Sequence, residues 1–169
     1  MIGCRPNHCG TAGNPNTGNL RTYPSANITA SGCIFDNAHG QGALVEGTGS
    51  TFSSCVFTTS GIGSTTGNYY HGLKVTGANN NFAACQFKYN YYGSGVRVEG
   101  NRNTFTSCNF RSNGVTDGTN PYRGGYGMNF KSGVLGNVVI GNVFYLNQTG
   151  ACNIASGTNY IHHNHGIGD

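Results

Sequence analysis

The acids of this chain are five side chains, Asp36, Glu46, Glu99, Asp117 and Asp169. Two of them occupy the same place in a repeated phrase: "ALVEG" at 43–47 and "VRVEG" at 96–100, with "LKVTG" at 73–77 between. If these phrases are strands stacked about 4.8 Å apart, Glu46 and Glu99 share an outward column, about 9 to 10 Å apart along the backbone, with Thr76 between them. Two carboxyls roughly 6.5 to 9.5 Å apart suit an inverting glycoside hydrolase, one serving as acid and the other as base for a water. The same residues also suit an exposed salt-bridge lattice, Arg97 with Glu99 and Lys74 with Glu46, of little energetic weight. Glu before Gly is an ordinary solvent-face choice, so the lattice is the expected arrangement.

Seven cysteines raise thiol or metal chemistry. Four of them recur as Cys-x-Phe, at Cys33, Cys55, Cys85 and Cys108, and a fifth copy reads Asn142-x-Phe144. A small thiol beside a buried Phe inside an alternating strand reads as apolar filler. Cys4, His8 and Cys9 form the only compact Cys/His group; a structural metal site closes with four ligands, and no fourth lies near. Neither a metal nor a cofactor is expected.

Recognition chemistry has better candidates. Two stretches lengthen the repeat, "TTSGIGSTTGNYYHG" at 58–72 and "RSNGVTDGTNPYRGGYG" at 111–127, and both fall between a Cys-x-Phe segment and the next Gly-led segment. They are expected to emerge along one edge, with the short "KYNYYGSG" between them. That edge gathers Tyr69, Tyr70, His71, Tyr89, Tyr91, Tyr92, Tyr122, Arg123 and Tyr126. Flat rings with a polar tip stack on sugars and also dominate protein interfaces; alternatively these rings only pack the loops onto the scaffold.

The repeat itself must position all of these groups. Cys-x-Phe recurs in steps of 22, 30 and 23 residues, and the apolar-x-apolar-x-Gly phrase recurs between. Looser copies follow at "MNFKSG" (128–133) and "CNIASG" (152–157), and a third segment opens at Phe52, Phe82, Phe105 and Val138. Side chains alternate with period two, as in Leu73/Val75 against Lys74/Thr76, and no segment carries a helical period. A unit of this size with three short strands buries its apolar face only by stacking on copies of itself. Stacking predicts columns: the four cysteines; Phe35, Phe57, Phe87, Phe110 and Phe144; and Gly47, Gly77, Gly100, Gly133 and Gly157. Asn37, Asn90, Asn113, Asn147 and Asn164 are expected at a left-handed corner, passing amide hydrogen bonds from coil to coil.

Charged residues make up 8% of the chain, against about 25% in an average globular protein. Its 36% hydrophobic content and the regular recurrence of aromatics argue for a folded chain. The formal net charge is +4 and the basic residues are scattered singly, so no nucleic-acid or membrane patch is expected. Without an apolar run near 18 residues or a hydrophobic leader, neither a membrane span nor a signal peptide is expected.

With its aromatic stacks and asparagine ladder, the chain resembles the right-handed parallel β-helix proteins of the pectate-lyase-like family. The likeness implies an all-β solenoid of about five to six coils with two loop insertions on one edge. The expected division is an irregular segment or cap over 1–27 and a β-helix over 28–169. The fold carries lyases, hydrolases, adhesins and phage tailspikes alike. No cluster of acids offers the hard oxygen ligands of a calcium site, so no lyase residues carry over. The closest likeness is to β-helix domains of bacteriophage tailspikes and fibres. It implies a virion protein made in host cytoplasm, assembled as a homotrimer beside other virion proteins and binding a host-surface glycan. The alternatives are a carbohydrate-active enzyme using Glu46 and Glu99, and a ligand-free structural module.

Overall fold

The structure, a computed structural model, describes residues 1–5, 18–61, 70–114, 125–154 and 157–166. These residues form six successive coils of short strands and no helix. The first coil holds β1 (Gly18–Thr22), β2 (Thr29–Ser31) and β3 (Ile34–Asp36); the second holds β4 (Gln41–Val45), β5 (Thr51–Ser53) and β6 (Val56–Thr58). The third holds β7 (Leu73–Val75), β8 (Asn81–Ala83) and β9 (Gln86–Lys88), and the fourth β10 (Val96–Val98), β11 (Thr104–Thr106) and β12 (Asn109–Arg111). The fifth holds β13 (Tyr126–Phe130), β14 (Val138–Ile140) and β15 (Val143–Tyr145), and the sixth β16 (Gly150–Asn153) and β17 (Tyr160–His162).

Each strand pairs in parallel with its counterpart one coil away, giving sheets ordered β1-β4-β7-β10-β13-β16, β2-β5-β8-β11-β14-β17 and β3-β6-β9-β12-β15. The result is a three-sided parallel β-helix. Pairing starts upstream of residue 28, where the helix was expected to begin, because β1 aligns Leu20 with Ala43 and Thr22 with Val45. Ahead of it, Ile2 bridges Ser31, and the Ile34 N–H donates to the Cys4 carbonyl, so the first residues lie along the edge of the second and third sheets.

Inside, the expected columns form. Phe35, Phe57, Phe87, Phe110 and Phe144 stack with centroids 4.6 to 4.9 Å apart, and Phe52, Phe82 and Phe105 make a second stack at 4.7 to 5.0 Å. The Phe105 column continues with Val139 and not with the expected Val138. Cys33, Cys55, Cys85 and Cys108 are buried free thiols. Cys85 and Cys108 donate to the Phe52 and Phe82 carbonyls one coil below, at 3.6 and 3.4 Å.

The corners depart from the expectation in an informative way. Asn37 is left-handed as expected, but in the later coils the left-handed residue is Thr59, Tyr89, Ser112 or Leu146, the last three each one residue before the expected Asn; all five, with φ from 52° to 55°, turn the chain from the third sheet to the first. Ser54, Ala84 and Ser107 do the same between the second sheet and the third, and Asn79 and Arg102 between the first and the second. A left-handed residue costs about 1–2 kcal/mol. Its neighbours offset this: the N–H of Thr59 donates to the Lys88 carbonyl, that of Tyr89 to Arg111 and that of Ser112 to Tyr145, so the ladder runs unbroken round the bend.

The residue after the bend points inward. Asn90 donates to Asn113 and Asn113 to Asn147, each at 2.8 Å, as the sequence predicts. Asn164 belongs elsewhere: it accepts from Asn142 at 2.9 Å in the cysteine corner, because Asn142 replaces a cysteine there and starts a new amide pair. A further ladder, not anticipated, runs through Asn80, Asn103, Asn137 and Asn159 at the remaining corner.

The glycine column is shorter than expected. A Cβ on Gly77 would collide with the Gly47 carbonyl, and one on Gly100 with the Gly77 carbonyl, whereas one on Gly133 meets nothing. Val134 takes the place in the fifth coil, since its carbonyl is what a Cβ on Gly157 would strike. Gly77→Ala is therefore expected to force two coils apart, lowering the unfolding free energy obtained from a urea curve by roughly 2 kcal/mol or more. Gly133→Ala tests only the left-handed φ of 82° at an open position.

Candidate functional site

The register places Glu46, Thr76 and Glu99 in one outward column of the first sheet, since Val45, Val75 and Val98 are aligned just before them. Arg97 pairs with Glu99 as expected, but the partners of Glu46 and Lys74 differ. Glu46 is gripped by Arg21, with Nε 2.7 Å from Oε2 and Nη2 3.3 Å from Oε1. Lys74 pairs with Glu99 at 3.3 Å, joined by Arg97 at 3.3 Å. Lys74 was expected on Glu46; instead each cation reaches the carboxylate of the coil above, Arg21 to Glu46 and Lys74 to Glu99, the same offset in both cases. Arg97 also donates to Asn129 at 2.7 Å, and Asn153 reaches that amide at 3.2 Å.

Partial burial pushes the pKa of Glu99 up, but Lys74 and Arg97 outweigh it and hold the carboxyl below the usual range. A general acid must hold its proton near the working pH. Glu99 between two cations is built to stay ionised, and Glu46 sits in a bidentate grip. The column is thus a lattice of ion pairs.

The tyrosine edge divides in two. Tyr70, His71 and Tyr92 were expected on display but are buried, at 0%, 6% and 6% exposure. Crowding explains it: the chain at Gly93 passes so close to the Tyr70 carbonyl that a Cβ there would collide with it. His71 is tied on both sides, its N–H donating to Gln41 Oε1 at 2.7 Å and its Nδ1 accepting from the Ser94 N–H at 3.0 Å. Burial, with Arg97 and Lys74 nearby, drives its pKa down to about 3, so the ring is a neutral acceptor. Tyr91 and Tyr126 are half-buried at the rim. Tyr69, Tyr122 and Arg123 lie outside the described residues, as do His8, Cys9 and Asp117.

The insertions are anchored as the sequence implies, one between β6 and β7 and the other between β12 and β13. Both therefore connect the third sheet to the first.

No group of three or more potential metal ligands occurs among the described residues. Two of the thiols are held protonated, while the contact with Cys85 pushes Cys108 down. The Cys108 side chain pushes Cys85 up to about 12, and burial pushes Cys152 up to about 12. Such thiols are inert toward oxidants and metals.

One exposed tyrosine of the expected edge, Tyr89, has a partner the sequence reading missed, Tyr145. Tyr89, at a left-handed corner, and Tyr145, at the end of β15, flank Arg111, whose guanidinium carbon lies 5.9 Å from each ring centroid. The signal was present in the register: Tyr145 stands three residues after Asn142, as Arg111 does after Cys108.

Among protein families, residues 19–168 match the model described as right handed beta helix region. No curated protein and no solved structure matches the chain.

Proposed function

The chain belongs to the right-handed β-helix family, and from that premise we propose that it is a non-catalytic surface module of a bacteriophage virion, a tailspike, fibre or decoration protein. It assembles with copies of itself, as a trimer, and binds a host-surface glycan along its loop-bearing edge. The observation that carries this reading is the state of the carboxylates. Asp36, Glu46 and Glu99 are all in ion pairs with Arg or Lys, so the scaffold is satisfied in itself, while aromatic side chains stand at its rim. Rigid scaffolds with recognition residues on one edge are a common way to hold a ligand without chemistry. The low charge and the Gly, Asn, Ser and Thr richness support the virion assignment.

Adsorption to bacterial cells and glycan arrays tests the binding. The wild type is expected to bind and the double variant Tyr91→Ala with Tyr122→Ala to lose most of that binding; equal binding would sink the edge assignment. Light scattering tests the trimer, and a stable monomer would remove it.

Glu99→Gln separates this reading from a hydrolase. The substitution is expected to leave glycan binding intact and to change stability by less than about 1 kcal/mol, as befits a half-exposed pair. Cleavage of polysaccharide by the wild type that vanishes in Glu99→Gln would return the pair to catalysis.

A further inference from the structure

The outward positions of the second sheet hold uncharged side chains without rings through five coils, and then the chemistry changes. The rank Thr29, Thr51, Asn81, Thr104 and Val138 ends at Tyr160, and the neighbouring rank from Ser31 to Ile140 ends at His162. The left-handed corner just beyond carries Gly, Ser or Ala in the earlier coils, from Gly32 to Gly141, and in the sixth it carries His163 with φ 53°. One coil thus sets two imidazoles and a phenol where the others set small or aliphatic groups.

Consecutive residues of a strand point to opposite faces, which ordinarily keeps adjacent histidines from sharing a ligand. The bend at His163 removes that obstacle. The rings of His162 and His163 stand 6.1 Å apart centre to centre, inclined at 46°, and both side chains are exposed. Tyr160 lies against His162 with centroids 4.2 Å apart, which limits the rotation of that ring. No carboxylate of the described residues pairs with either histidine. A metal about 2.0–2.1 Å from one nitrogen of each ring allows ring centres up to roughly 6.4 Å apart. The pair is therefore within reach of a shared ion without any movement of the backbone.

We infer that His162 and His163 form a binding site for one late first-row divalent metal ion, of the copper, nickel or zinc class. Neutral imidazole nitrogen suits these ions, whereas calcium and magnesium take oxygen. No third protein ligand joins the pair among the described residues. Water completes the coordination sphere, and affinity follows the order of the ions themselves, copper above nickel and zinc. Tyr160 is a positioning residue, holding the His162 ring for the chelate. The inference does not rest on the glycan reading, since it concerns the outer face of the second sheet.

Isothermal titration of the full chain at pH 7.5 with nickel chloride, and with calcium chloride as the comparison, tests it. One nickel ion per chain and no calcium is the expected result. His162→Gln and His163→Gln should each weaken nickel binding at least about tenfold, because each leaves a single imidazole. His165→Gln, on the third sheet beside Val143, should leave it unchanged. Tyr160→Ala should weaken it in part and Tyr160→Phe restore it. In the copper complex, electron spin resonance should show coupling to two nitrogens in the wild type and to one in either histidine variant. These side chains are exposed, and melting curves that match the wild type without metal show that the variants are folded.

Nickel binding that survives both histidine substitutions overturns the site. So does binding that is lost on Cys4→Ser instead, which assigns the ion to the Cys4, His8 and Cys9 group. Equal weakening by His165→Gln overturns it as well, because the histidines then act as a loose tail and not as a fixed pair. Glycan binding by a chain that takes up no nickel removes this site and leaves the proposed function standing.

Discussion

Replacing Phe87 by alanine is expected to lower the stability of the protein by about 3–5 kcal/mol, measured as the shift of a urea unfolding curve followed by circular dichroism. Phe87 has no exposed surface and lies between Phe57 and Phe110, both 4.9 Å away centre to centre. Its backbone carbonyl accepts from Asn113 Nδ2 at 2.9 Å, so the ring and the amide ladder are joined at this rung. Removing the ring opens a cavity that neighbours in a stacked sheet cannot collapse into, because each is held at the strand spacing by its own ladder. Phe35→Ala provides the comparison, since among the described residues Phe35 has a stacked partner on one side only. The central substitution should cost more, and it should also flatten the transition, because stability in a solenoid is carried by contacts between neighbouring coils. Equal losses at the two positions would show that the rings act as independent fillers and not as a stack.

Acid is expected to unfold this protein, with His71 as the leading cause. In the folded chain burial, with Arg97 and Lys74 close by, holds the ring neutral down to about pH 3, whereas an unfolded histidine takes up its proton near pH 6.5. Above 6.5 both states are neutral at this position and stability is flat. As the pH falls below 6.5 the unfolded state binds a proton the folded state refuses, and stability drops until the folded pKa is reached. At about 1.36 kcal/mol per unit the loss is on the order of 4–5 kcal/mol, a large share of the total for a domain of this size. Glu99 acts in the same direction at lower pH, since its lowered folded pKa makes its contribution present above the ordinary carboxylate value and lost as pH falls. Melting temperatures should therefore be level from pH 7 to 9 and fall between 6.5 and 4.5. His71→Asn, which keeps an acceptor for the Ser94 N–H, should remove the upper part of that fall. A melting temperature unchanged between pH 6.5 and 4.5 would refute the assignment.

The columns were legible because identical phrases fix the register. Once Cys33, Cys55, Cys85 and Cys108 are aligned, the alignment of Phe57 with Phe87 and of Glu46 with Glu99 follows without further information. What the repeat does not specify is depth at an irregular corner. Tyr70 and Tyr92 flank the short connection at Gly93, where close backbone packing draws both rings inward, and nothing in their spacing distinguishes them from Tyr89, which faces out. The Asn80, Asn103 and Asn137 ladder was present as an asparagine three residues after Gly77, Gly100 and Val134, but the loosened phrase at Gly133 hid the last member. The Arg97–Glu99 pair was legible within one phrase, but the Lys74 pair was not, for a similar reason: the columns in which Lys74, Glu46 and Glu99 stand follow from the repeat, while the direction in which a lysine leans does not.

The uniform corners carry one more consequence. Most bends are a single left-handed residue followed by an inward side chain, an amide bonding to the coil above or a cysteine bonding to the coil below, so the joints between coils repeat along the stack. A gene segment encoding one coil, such as residues 79–101, can be lost or duplicated in frame, and the flanking coils meet again with phenylalanine over phenylalanine and amide over amide. The reach of such a protein is then a heritable trait separate from its fold, changing between lineages in whole steps of about 4.8 Å.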